Sequence, residues 1–126
     1  MTCRPDKTLL AMLLATLALP AMAGGRDDPL AQAAAAIERG DGVAAEVAAQ
    51  RALDAGEAHA AVDAYLGEAA LLQGDPDEAR QLLAPGAFDP ASAQRGCHAL
   101  GRLELATGHF GPAAAAFDRA LAAGGP

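Results

Sequence analysis

The chain has 126 residues, of which 52% are hydrophobic and only 3% aromatic, and its formal net charge is −7 at pH 7. This acidic balance argues against nucleic acid and anionic membrane surfaces as partners, because both attract basic patches. The length leaves room for one small domain.

The N-terminal segment, 1–23, has the organisation of a secretory signal peptide. Arg4 and Lys7 precede an uncharged apolar run from Leu9 to Leu19, and Ala21-Met22-Ala23 forms the small-x-small pattern that a signal peptidase reads. Such a run spans about 16 Å as a helix, roughly half the hydrocarbon thickness of a bilayer. We therefore predict that 1–23 is a cleaved signal-peptide helix. The remaining chain, 24–126, is then periplasmic or secreted, with no membrane insertion.

Helix signals recur along the rest of the chain. An Asp-Pro pair combines an N-cap residue with proline at the first helical position, and Gly typically ends a helix. The segments between these signals are rich in Ala and Leu, and β-branched residues are few. The pattern predicts an all-α domain, with starts at Asp28-Pro29, Asp75-Pro76, Asp89-Pro90 and Gly111-Pro112 and stops at Gly40, Gly108 and Gly124.

The helix signals repeat at one fixed interval along the chain. Gly40, Gly74 and Gly108 are evenly spaced, and each is expected to separate the two helices of a pair. Leu66-Gly67 matches Leu100-Gly101 at the same spacing. Three further sets fall on the same grid: Ala45, Ala79 and Ala113; Leu83 and Phe117; and Ala52-Leu53 and Ala120-Leu121. The sequence therefore predicts one helix–turn–helix unit written three times, most weakly in the first copy.

This unit resembles the tetratricopeptide repeat (TPR), a 34-residue helical hairpin. The resemblance implies an antiparallel helix-hairpin α-solenoid of about three repeats and six helices, at about 26–59, 60–93 and 94–126. Cys97 and Glu104 stand where the family has Trp and Tyr. Pro85 and Gly86 interrupt the second copy, so we expect its second helix to end near Ala84.

As the family acts in protein interaction, the resemblance implies a concave groove formed by the first helices, about 27–38, 61–72 and 95–106. Arg95, His98 and Arg102 share one helical face by their spacing and could hold a carboxylate of a peptide or partner protein. Tyr65 and Glu68 are expected to face the same groove. The alternative is that this stripe is an ordinary solvated face.

The other candidate surface is the end of the array. Solenoids usually need a polar cap beyond the last repeat, and the predicted repeats leave Phe117 and Leu121 partly bare. The alternative function is that the chain is an accessory or assembly subunit of an envelope complex and docks, or self-associates, through its uncapped C-terminal repeat.

Side chains that perform chemistry are scarce. Beyond residue 23 there is no Lys, Asn or Trp, and one Ser, Ser92. His59, His98 and His109 stand far apart, His109 as an exposed turn residue, and Cys97 is expected to fill a packing site. We therefore predict no catalytic site, no metal and no cofactor; a small hydrolase or ligand binder with an unseen site remains the third possibility.

Overall fold

The computed structural model describes residues 28–125. This part of the chain contains six α-helices and no β-strand, which confirms the predicted all-α class. The predicted signal peptide, 1–23, lies outside the described residues. The helices are α1 (Pro29–Glu38), α2 (Gly42–Asp54), α3 (His59–Leu72), α4 (Pro76–Leu83), α5 (Ala93–Ala106) and α6 (Phe110–Gly124).

Aspartate side chains begin three of the six helices. The carboxylates of Asp28, Asp41 and Asp75 each accept a hydrogen bond from a backbone N–H in the first turn. These bonds satisfy donors that have no partner within the helix. The starts predicted at Asp28-Pro29 and Asp75-Pro76 are confirmed.

The start predicted at Asp89-Pro90 is too early, because α5 begins at Ala93. Asp89 accepts instead from the backbone N–H of Ser92 at 2.8 Å, while Ser92 Oγ lies 2.9 Å from the carbonyl oxygen of Ala60. The N–H of Asp89 also donates to the Ala60 carbonyl, at 2.8 Å. Asp89 and Ser92, which local signals assign to the start of a helix, thus make tertiary hydrogen bonds to the start of α3 instead.

The turns between paired helices fall where the repeat predicts them. Gly40, Gly74 and Gly108 have φ angles of +74°, +76° and +83°. After each glycine, the next N–H donates to a carbonyl in the last turn of the preceding helix, at 2.8–2.9 Å. This is the Schellman arrangement that closes a helix on a left-handed residue. The same backbone geometry therefore recurs at all three predicted bends.

We expect Gly74→Ala to lower the free energy of unfolding by about 1–2 kcal/mol, because an L-residue at positive φ crowds its own carbonyl. Gly111→Ala is the matched control. Gly111 lies in α6 with open space around it and no positive φ, so alanine there should be neutral or stabilising by up to about 1 kcal/mol. Urea unfolding of both variants provides the comparison, and equal effects would contradict the assigned turn.

The contacts between the helices follow one pattern along the chain. Each helix contacts the next along the chain, and α1, α3 and α5 also contact one another in sequence. Within residues 28–125, α2, α4 and α6 make no comparable contacts among themselves. Ala36 packs with Ala45, while Ala33 packs with Ala49, so α1 and α2 run antiparallel. The first helices of the hairpins therefore form one continuous layer.

Glycines admit a large side chain at equivalent positions of two repeats. A Cβ on Gly67 would clash with Leu83, and a Cβ on Gly101 would clash with Phe117. These two pairs are separated by one repeat length, as the sequence grid predicts. In the first copy the equivalent residues, Ala33 and Ala49, are both fully buried in one cluster. In the second and third repeats, a glycine on one helix thus accommodates a large side chain on its partner. In the first repeat, two alanines occupy the equivalent positions.

The second repeat ends as expected and then departs from the pattern. Its second helix, α4, finishes at Leu83 with Ala84 as the C-cap. The following loop contributes Phe88, whose ring occupies the space that a Cβ on Gly96 would need. The loop therefore packs against α5 through Phe88.

Candidate partner-binding pocket

A pocket of about 710 Å³ lies between α3, α5 and α6. Its volume falls within the range that is typical of ligand sites. One wall is polar and the other is apolar. The polar wall consists of Tyr65 and Glu68 from α3 and of Gln94, Arg95 and His98 from α5.

The polar wall is organised around an ion pair. Arg95 Nη1 donates to Glu68 Oε1 at 2.8 Å, and the guanidinium lies 4.8 Å from the centroid of the Tyr65 ring. The Glu68 side chain is only 9% exposed, so the pair is shielded from water on the carboxylate side. Arg95 therefore bridges Glu68, through the ion pair, and Tyr65, through a cation–π contact.

This ion pair changes the expected role of Arg95. The sequence predicts a basic stripe with Arg95 available to hold a partner's carboxylate, but that guanidinium already has a carboxylate within the chain. The local charge of the pair is zero. The polar wall is therefore suited to hydrogen bonding rather than to attracting an anion.

The apolar wall comes mainly from α6. Phe117 packs edge-on against His98, with ring centroids 5.6 Å apart, and its ring lies over Gly101. Leu121, one turn further along α6, is 73% exposed and lines the same pocket. The sequence assigns Phe117 and Leu121 to an open end and assigns His98 to a separate groove. In the fold these residues line a single pocket.

Two parts of the predicted groove do not contribute. Arg102 is exposed one turn beyond His98 on α5 and does not line the pocket, and α1 provides no lining residue. In contrast, Ala91, Gln94 and Ala120 line it, although none of them was predicted to be a site residue. Gln94 lies one helical turn before His98, so helical spacing could have included it.

A second polar cluster joins α4, α5 and the turn between α5 and α6. The buried Glu104 accepts from Arg80 at 2.6 Å and lies 2.8 Å from His109 Nδ1. Thr107 Oγ1 lies 3.1 Å from both Arg80 Nη2 and His109 Nδ1. His109, expected to be a simple exposed turn residue, therefore anchors the turn to a buried carboxylate.

The pKa of Glu104 reflects two opposing causes. Burial disfavours the carboxylate and by itself raises the pKa, but the hydrogen bonds and charges of Arg80 and then His109 outweigh burial. The net result is a pKa below the ordinary glutamate value of 4.5. Glu104 is thus held in its charged form as a structural ion pair.

Side-chain groupings that perform chemistry are sparse between Asp28 and Gly125. This part of the chain has no cluster of three or more His, Cys, Asp or Glu side chains that could hold a metal ion. Ser92 is buried and bonded to Asp89 and Ala60, and Cys97 is buried with Arg119 Nη2 at 3.8 Å from its sulfur. The same stretch includes no helix with the length and apolarity needed to cross a membrane.

No family model, curated protein or solved structure matches the chain.

Proposed function

We propose that the chain is a non-enzymatic TPR-like interaction module that binds a peptide or partner protein in the periplasm or secreted space. Binding occurs in the pocket between α3, α5 and α6. The proposal rests chiefly on the pocket itself, where an exposed apolar wall faces a fixed polar wall.

The repeats support the family part of the proposal. The bends at Gly40, Gly74 and Gly108 have the same backbone geometry. In the pairs Gly67–Leu83 and Gly101–Phe117, a large side chain packs onto a glycine in the same way. A layer formed by the first helices also agrees with a TPR-like solenoid. The proposed periplasmic or secreted location rests on the signal-peptide pattern of residues 1–23.

The pocket indicates what kind of segment it accepts. Phe117, Ala120 and Leu121 offer apolar surface, and the neutral Glu68–Arg95 pair offers no net charge. An apolar side chain carried on an uncharged polar backbone would bury Leu121 and hydrogen-bond at the rim. We therefore infer that the bound segment is mainly apolar, and not the acidic tail that a basic stripe would attract.

The test uses two neighbouring positions on α6. Leu121→Glu places a charge in the pocket, whereas Ala122→Glu places the same charge on an exposed residue that does not line it. With chain 24–126 as bait for envelope extracts, we expect Leu121→Glu to lose specific partners at least about tenfold and Ala122→Glu to retain them. About 1.4 kcal/mol corresponds to that factor. Identical partner sets for wild type and Leu121→Glu would contradict the pocket.

The same variants separate the alternative function, an accessory subunit or self-assembling unit that docks through the last hairpin. Asp118 and Ala122 lie on the side of α6 away from its buried residues. If a partner docks on that outer side, Ala122→Glu abolishes its capture as well. If the chain self-associates there, sedimentation velocity should show that the wild type associates and that Ala122→Glu does not. Loss in both variants therefore favours end-on docking over the pocket.

A further inference from the structure

A second groove runs between α1 and α2 and shares no residue with the pocket described above. Its volume is about 430 Å³, and its floor is apolar: Ala35 and Ala36 from α1, and Ala44, Val47 and Ala48 from α2. Val47 is 48% exposed, and Val43, one turn earlier on α2, is 61% exposed. Val47 in the floor and Val43 next to it therefore form one exposed apolar stripe along α2.

Two guanidinium groups border this floor. Arg39 and Arg51 both line the groove, and neither has a carboxylate within ion-pair distance among residues 28–125. By comparison, Arg80 and Arg95 are both paired with buried glutamates. A chain with a net charge of −7 thus places two arginines that make no ion pair around one apolar groove.

The helices set the spacing of these charges. Arg39 is the C-cap of α1 and Arg51 lies in the last turn of α2, and the two helices are antiparallel, so the arginines stand at opposite ends of the groove. Along α1 the groove extends from Gln32 to Arg39. Two turns of helix, roughly seven residues, span about 10 Å. A ligand that reaches both arginines therefore needs two negative groups roughly two helical turns apart.

We propose that this groove binds an amphipathic helix of a partner protein that carries two carboxylates at positions i and i+7. Residues at i and i+7 of a helix share one face, with i+3 and i+4 between them. Apolar side chains at those two positions cover Val43 and Val47, while each carboxylate accepts hydrogen bonds from one arginine. The charges of the groove and the charges of this helix are complementary.

The test uses three synthetic alanine-rich helical peptides of about 15 residues, long enough to be partly helical in water. The first has Glu at i and i+7 and Leu at i+3 and i+4. The second has the same composition with the two Glu at i and i+5, so that they no longer share a face. The third has Lys in place of both Glu. By fluorescence anisotropy we expect the first to bind about tenfold more tightly than either comparator.

Variants of the chain complete the test. Arg39→Gln with Arg51→Gln should weaken binding of the first peptide about tenfold, whereas Arg102→Gln, another exposed arginine outside the groove, should leave it unchanged. Circular dichroism checks that the fold is retained. Absence of saturable binding, equal affinity for the three peptides, or equal loss in Arg102→Gln would overturn the proposal. Leu121→Glu, which tests the pocket, should not alter this binding.

Discussion

Replacing Leu83 with alanine lowers the free energy of unfolding by about 2–5 kcal/mol, the largest loss that we expect from a single substitution in this chain. Leu83 is fully buried, and between residues 28 and 125 it is one of the three largest side chains that are fully buried, with Leu103 and Val62. Its neighbours include Ala70 and Ala79, which are too small to move into the space that it vacates, and Leu100 and Leu103, which are themselves buried in the same cluster. Because the surrounding side chains relax only partly into such a cavity, the loss includes a cavity cost in addition to the lost burial.

Urea unfolding monitored by circular dichroism measures this loss. Leu105→Ala is the control, because it makes the same chemical change at a side chain that is 51% exposed. Its effect should stay within about 0.5 kcal/mol. Comparable losses in the two variants would mean that Leu83 is not the centre of the core.

A double substitution tests the repeat itself. Gly67→Ala alone forces a methyl group against Leu83 and should cost about 1–3 kcal/mol by overpacking. With Leu83→Ala in addition, that methyl group occupies part of the cavity, and the pair becomes the Ala33–Ala49 arrangement of the first copy. We expect the double variant to lose at least about 1 kcal/mol less than the sum of the singles. Additive losses would contradict the equivalence of the two positions.

Glu104→Gln is expected to lower the free energy of unfolding by about 2 kcal/mol at pH 7, because charge-assisted hydrogen bonds from Arg80 and His109 are weakened. The loss stays below that of a fully buried pair, since the Arg80 side chain is 38% exposed and can turn to water. Glu46→Gln, at an exposed glutamate that accepts from Gln73, is the control and should change stability by less than about 0.5 kcal/mol.

The pH dependence of this difference follows from the lowered pKa of Glu104. In the unfolded chain the carboxyl group titrates near 4.5, whereas in the folded chain it titrates at a lower pH. Its contribution to stability is therefore complete above pH 4.5 and is lost as the pH falls through the folded pKa. We expect the gap between wild type and Glu104→Gln to narrow below pH 4.5. A gap that is constant from pH 7 to pH 3 would exclude the ion pair as its cause.

Features that depend on a few adjacent residues could be predicted from the sequence. Asp75-Pro76 begins a helix and Gly74 ends one because the cap and the left-handed turn are satisfied by groups close by in the chain. Asp89-Pro90 carries the same local signal, yet it does not begin a helix. The carbonyl of Ala60, at the start of α3, accepts hydrogen bonds from Asp89 and Ser92 instead. Local sequence signals do not reveal this competing tertiary contact.

The candidate site was predicted only in part for a related reason. Tyr65, Glu68, Arg95 and His98 were identified as one surface, and Phe117 and Leu121 as another. What joins them is the packing of Phe117 onto Gly101, which brings α6 beside His98. Likewise Arg95 was expected to be free, because its partner Glu68 lies 27 residues away on another helix.

The sequence by itself determined the helical class, the repeat period and the positions of the bends, because backbone propensity, capping and positive φ act over one or two turns of helix. Tertiary structure decided which charges neutralise each other and which stay free, and it merged two predicted surfaces into one pocket. Those outcomes depend on side chains that come within a few ångströms only after neighbouring hairpins pack, and no local pattern encodes that distance.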